Sequence, residues 1–353
     1  MDTRVVLTIE PTPQNPRNSE GSFIRDKNGG ILYAYSRWSG DSSDDHASCD
    51  IAVISSEDEG ETWSDCSIIA RASDFGVKNI MCASAIRLGD DSLCVFFIIN
   101  EDGGTTSIGR TISKDGIYFK SERCICNMPK AYYVIENDRY IRLTDGRIAT
   151  AAAVYEHETE VMNGGRVVGI VSEDDGKSFH LAGDFLDLPF DGKKGIALEE
   201  PEIIELRQNC IWILSRTVYS YQYQAFSYDG MKTFTKAEPS VFSSPLSPVS
   251  LIRLSDNSIA AAYNPIPNYT GRSVFSGDNR SDEFWSGRTP LVLRISKDNA
   301  KTWGELMPIE TEKNADFSYP ALFETRDGIL CAYWCVHKGD KCSMRITKCE
   351  NTD

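Results

Sequence analysis

The stretch SSEDEGETW, Ser55–Trp63, sets Ser56 two residues before Asp58, Gly60 two further on and Trp63 three beyond that. The same order returns in SEDDGKSF (Ser172–Phe179) and, with alanine for glycine, in SKDNAKTW (Ser296–Trp303). SKDGIYF (Ser113–Phe119) is one residue shorter, and SYDGMKTF (Ser227–Phe234) moves the glycine forward. One copy would say little, because Asp and Gly suit any tight turn. Five copies in 353 residues are an internal repeat. The aspartate is expected to bond turn amides, the glycine to take positive φ and the aromatic to pack beneath the turn. The motifs therefore read as staples of the fold, not as chemistry.

A second unit alternates with the turns. It consists of a strand, a tight polar turn and a nearly continuous apolar strand: FIRDKNGGILYAYSR (Phe23–Arg37), AIRLGDDSLCVFFI (Ala85–Ile98) and YIRLTDGRIATAAA (Tyr140–Ala153). It continues as IIELRQNCIWILSR (Ile203–Arg216), LIRLSDNSIAAAY (Leu251–Tyr263) and ALFETRDGILCAYW (Ala321–Trp334). These are hairpin signals, and no long helical period competes with them. Six such units predict an all-β, six-bladed β-propeller, folded as one domain over residues 1–353. The opening run Arg4–Ile9 is predicted to pair into the last blade and close the ring, removing an exposed edge. Asn264–Arg288, polar and rich in Gly, Asn and Ser, is the expected insertion over the central pocket.

The net charge of −15 argues against a nucleic acid or an anionic membrane as partner. An anionic ligand would need a local cluster of arginines. No apolar run approaches the length of a membrane span. MDTRVVLTIEP has no signal-peptide pattern, which places a complete chain in the cytoplasm; a removed signal would make it secreted or periplasmic. Eleven cysteines without framework spacing read as reduced thiols, mostly buried small apolar residues. Cys124 with Cys126 and Cys342 with Cys349 could suggest a metal, but buried apolar residues are the better reading; no spacing suggests a catalytic metal, no cofactor is expected, and Asn268–Thr270 matches a glycosylation acceptor.

In a propeller the inner strands converge on the axis, so chemistry is sought just before each hairpin and in the loops after it. Arg17 and Glu20 precede the first hairpin, and Asp44, Asp45 and His46 follow it. Glu136, Asn137, Asp138 and Arg139 precede the third, and Glu199 and Glu200 the fourth, which ends in Arg216. Arg288 lies late in the fifth unit, and Asp316 and Tyr319 precede the sixth. Arginines from three blades can meet only at the axis, where a guanidinium cluster is a clamp for a carboxylate. An aspartate at the rim can supply a proton, and a tyrosine beside a glutamate can lose one and attack. Glu20, Asn137, Asp138 and Arg139 are expected to line the pocket and His46 to touch the ligand at its rim.

A propeller with these turns, known as Asp-boxes, resembles the sialidase (neuraminidase) superfamily over essentially the whole chain. The resemblance implies a glycoside hydrolase that removes terminal sialic acid, or a related acidic sugar, from glycoconjugates through a tyrosine nucleophile. It implies that Arg17, Arg216 and Arg288 hold the substrate carboxylate, that Tyr319 attacks and that Glu200 activates it. Either Asp44 or Asp45, with Asp45 preferred, would be the acid/base. Two other readings stand beside it: a glycan-binding propeller without turnover, and a glycosidase for another acidic sugar, such as a uronic acid, acting through Glu200 and Asp45.

Overall fold

The computed structural model describes residues 2–101, 104–155, 165–188, 198–266, 287–312, 314–337 and 342–350. Most of the expected insertion, residues 267–286 with Asn268–Thr270, lies outside them. The described chain is all-β apart from one turn of 3-10 helix, Ala72–Phe75. It forms six sheets arranged as the blades of a propeller, and each predicted hairpin supplies the two inner strands of one blade.

Blade 1 runs outward from Asn18–Arg25 through Ile31–Trp38 and Cys49–Ser56 to Ser67–Ala70. Blade 2 repeats this with Ile80–Arg87, Leu93–Glu101, Thr105–Ser113 and Phe119–Arg123. Blade 4 is Glu199–Arg207, Cys210–Arg216, Tyr221–Ser227 and Glu238–Ser243. Blade 5 is Ser250–Arg253, Ile259–Tyr263, Leu291–Ser296 and Met307–Glu310. Blade 6 contributes Ala315–Glu324, Gly328–His337 and Ser343–Glu350, and its fourth strand is Asp2–Ile9, paired antiparallel to Ser343–Glu350. The N-terminal strand thus closes the ring as predicted. Six buried apolar clusters fill the six blade-to-blade seams, which is where second strands buried on both faces must pack.

Blade 3 departs from the pattern. Its inner strand is split into Tyr132–Val134 and Ile141–Arg142, both paired to Ile148–Tyr155. The residues between are tied to other blades: Asn137 Nδ2 donates to the Gly21 carbonyl at 2.9 Å, and the Asp138 amide to Ala83 at 3.1 Å.

The Asp-boxes behave as staples. Ser56 Oγ donates to Asp58 at 2.8 Å and accepts the Gly60 amide at 2.8 Å, and the Thr62 amide and hydroxyl bond the same carboxylate. Ser172–Asp174, Ser227–Asp229 and Ser296–Asp298 repeat the geometry. The glycine position is left-handed in every full-length copy, including Met231 (φ 76°) and Ala300 (φ 68°) where no glycine stands. Of eleven free cysteines, only Cys66 is exposed.

The inner strands carry a second device. In blades 1, 2, 4 and 6 the register slips near the start of the inner strand, between Ser19 and Ser22, Met81 and Ser84, Glu199 and Glu202, and Ser318 and Ala321. Each slip holds a left-handed, non-glycine residue: Glu20 (φ 51°), Cys82 (62°), Glu200 (43°) and Tyr319 (53°). Such a conformation costs about 1–3 kcal/mol, and a bulge re-aims a side chain that the pleat would send elsewhere. A Cβ on Gly21, inside the blade 1 bulge, would collide with the Tyr33 ring and the Ala34 carbonyl.

Candidate functional site

Three of the four bulges deliver side chains that bear on chemistry. Tyr319 Oη donates to Glu200 Oε1 at 3.1 Å, joining blades 6 and 4. Arg216, from the second strand of blade 4, sets Nη1 2.7 Å from Glu200 Oε2 and 3.4 Å from Tyr319 Oη. Its Nε and Nη2 both reach Glu199 Oε2, at 2.9 and 2.7 Å. The bulge separates the two glutamates: Glu200 faces the tyrosine and Glu199 the outer edge of Arg216. Arg288 completes the group, with its guanidinium 5.7 Å from the Tyr319 ring centre and 5.4 Å from that of Trp334. Its Nε and Nη2 donate to the Leu246 carbonyl at 3.2 and 2.8 Å.

Arg17 stands in a second group. Its guanidinium lies 4.0 Å over the Trp38 ring, its Nη1 is 2.5 Å from Asp45 Oδ1, and its Nη2 pairs with Glu20. Asn15 Nδ2 and the Trp38 amide bond the Arg17 carbonyl, which fixes the residue beside blade 1. The loop bearing Asp45 is pinned by Asn79 Nδ2, which donates to the Asp45 and Ala47 carbonyls at 2.9 and 2.6 Å. Asp44 turns away: its carboxylate accepts the His46 amide at 2.8 Å, a local turn bond. His46 is exposed, with its ring edge-on to Tyr132 at 6.1 Å between centres.

One expectation needs correction. Arg139 does not line the pocket but is wholly buried. Its Nη1 is 2.5 Å from Glu202 Oε2 and its Nη2 donates to the Val249 carbonyl, so it ties blade 3 to blades 4 and 5. A buried guanidinium demands such partners, and its full burial keeps it from a ligand in the pocket.

Electrostatics distinguish the carboxyls. Burial raises the Glu200 carboxyl above the ordinary range, with Arg216 pulling it down and Glu199 pushing it up. Burial also raises Glu20, against the pull of Arg17. Tyr319 is held well above a free phenol, first by burial and then by the Glu200 charge, with Arg216 and Arg288 opposing both. The resting phenol therefore keeps its hydrogen and points it at Glu200. Loss of that hydrogen would be favoured by the two guanidinium groups beside the oxygen.

Sequence reasoning passed over Trp38, Trp334 and Tyr132, which pack against Arg17, Arg288 and His46. Glu20, Cys82 and Tyr319 each stand five residues before the last residue of the inner strand, at Arg25, Arg87 and Glu324, a spacing that blade 4 does not share.

Six blades, five of them with Asp-boxes, and a tyrosine–glutamate pair flanked by arginines at the centre define a propeller of the sialidase type. A model of the BNR repeat-like domain matches residues 32–331, and the chain belongs to that family. Among solved structures, a Dyadobacter fermentans protein of unknown function is similar over 98% of this chain and 99% of its own, at 17% identity and a TM-score of 0.72. A Hadza microbial sialidase is similar over 94% of this chain and 66% of its own, at 14% identity and a TM-score of 0.73. The NanB sialidase of Streptococcus pneumoniae is similar over 98% and 70%, at 12% identity and a TM-score of 0.66. The chain thus spans about two thirds of the length of those two sialidases. No curated protein matches it by sequence.

Proposed function

We propose that the protein is a retaining glycoside hydrolase that removes a terminal acidic sugar, sialic acid first among the candidates, from a glycoconjugate. The observation that carries this reading is the 3.1 Å hydrogen bond from Tyr319 to Glu200, with Arg216 within reach of both. Tyr319 attacks the anomeric carbon while its proton passes to Glu200. A neutral phenol suits an anomeric centre that bears a carboxylate, because a carboxylate nucleophile would be repelled. Arg288 and Arg216 bind the substrate carboxylate, and Arg17 joins them by exchanging Asp45 for the ligand. Released from Arg17, Asp45 takes a proton from solvent and gives it to the leaving oxygen; it then takes a proton from the attacking water, while Glu200 returns the proton of Tyr319 as the tyrosine leaves.

Arg17 Nη1 lies 2.5 Å from Asp45 Oδ1 and so occupies the carboxyl that would serve the leaving group, which favours a second reading: a pocket that binds acidic glycans without cleaving them. Release of a fluorophore from a sialic acid α-glycoside, compared between the native protein and Tyr319→Phe, separates the two. Hydrolysis predicts turnover by the native protein and a loss of more than about a hundredfold in the variant. Binding of the glycoside with no release by either protein would support the second reading.

A further inference from the structure

Glu136 has no task in the scheme above. It sits where the inner strand of blade 3 breaks, and the residue is 5% exposed. The Cys82 thiol, from the blade 2 bulge, donates to Glu136 Oε2 at 3.5 Å. Among the described residues no cation lies within ion-pair distance of it. Arg17 already faces Glu20 and Asp45, and Arg216 faces Glu199 and Glu200. Glu136 is thus a further carboxyl at a wall that already holds Glu20 and Glu200, both close enough for their charges to act on it. Carboxyls crowded in this way cannot all be ionised. The one with no cation of its own is the one that keeps its hydrogen. Since the thiol donates to Oε2, the hydrogen belongs on Oε1.

We propose that Glu136 reads the ligand as a hydrogen-bond donor, keeping its proton in the pocket and giving that hydrogen to an acceptor oxygen of a bound acidic sugar. The assignment rests on the reading of the pocket as one for acidic sugars. It gives the blade 3 break a purpose, because a continuous strand would return the side chain to the sheet. Burial, then Glu200 and Glu20, push the carboxyl well above its ordinary range, while Arg139 and Arg216 pull it down. The other groups that feel its charge are Cys82, Tyr132, Tyr155 and Tyr319. As the pH rises through the deprotonation of Glu136, the donor is lost and a like charge meets the ligand, so affinity falls.

Calorimetry with N-acetylneuraminate on the native protein, Glu136→Gln and Glu136→Met tests this, with melting curves to establish that each variant folds. The glutamine amide still donates, so it should bind within about threefold of native at neutral pH and lose the alkaline decline. Methionine fills the space without donating and should bind about tenfold more weakly, the worth of one hydrogen bond. Native-like affinity in the methionine variant would overturn the proposal, as would a glutamine variant as weak as the methionine one. An infrared difference spectrum, native minus Glu136→Gln at neutral pH, reads the proton without any ligand. A carboxylic-acid band supports the proposal, and a carboxylate band alone overturns it. Failure of the native protein to bind N-acetylneuraminate, with the acid band present, would instead reject the reading of the pocket.

Discussion

Asp58 in an outer turn and Glu200 on the inner wall are both carboxyls held by hydrogen bonds, yet they are driven in opposite directions. Asp58 is largely solvated, and the Thr62 hydroxyl and amide, with Ser56, push it down to about 2. Glu200 is buried, and burial pushes it up despite Arg216. The partners differ as well. Those of Asp58 come from its own turn, whereas Tyr319 lies 119 residues from Glu200. The outer turn stabilises its anion and needs nothing from the rest of the chain. The inner wall holds groups whose protons can move, and only the closed ring assembles it.

Changes on the two sides of that contrast should separate stability from activity. The largest loss of stability is expected at the inner wall, in Gly21→Ala. The added methyl meets the Tyr33 ring and the Ala34 carbonyl, so denaturant titration should show a loss of about 3 kcal/mol. Asp138 comes next. Burial raises it to about 6, while Ser22 Oγ donates to it at 2.5 Å. The folded chain therefore holds this proton more tightly than the unfolded chain, whose aspartate titrates near 3.9. Stability should fall by on the order of 2 kcal/mol as pH rises from about 4 to about 6, and Asp138→Asn should flatten that slope. In the outer turn, Asp58→Ala should lose about 2 kcal/mol with turnover unchanged, since the substitution strands the Thr62 amide and hydroxyl. The smallest effect belongs to Ala300→Gly, which relieves a left-handed alanine and should raise stability by up to about 1 kcal/mol. Lost turnover in Asp58→Ala, with folding intact, would erase the division between staple and site.

The outer side of the contrast was open to reading from sequence because its physics is local. The Asp-boxes, the six hairpins and the closing strand Asp2–Ile9 each carry their turn residues or apolar run within a short window. The inner side was read only in part. Two adjacent glutamates look alike in sequence, and it takes the slip between Glu199 and Glu202 to turn Glu200 toward Tyr319. Arg139 looked like a pocket arginine because it sits beside Glu136 and Asp138. Its partner Glu202 comes from the next blade, a pairing that no local pattern announces. Asp45 was preferred to Asp44 on little more than its place next to His46, and it takes the loop's own bonds to set Asp44 to its turn and Asp45 toward Arg17. The inner strands also begin earlier than the hairpins suggested, at Asn18 where the first hairpin began at Phe23, since pairing continues through the bulge.

The claim that Tyr319 is the nucleophile is tested most directly by trapping. The protein would be incubated with 2,3-difluorosialic acid, digested and mapped by mass spectrometry. The account predicts a covalent glycosyl adduct on Tyr319, absent from Tyr319→Phe. An adduct on Glu200 or Asp45, or turnover of a sialic acid glycoside with Tyr319 left unmodified, would contradict it.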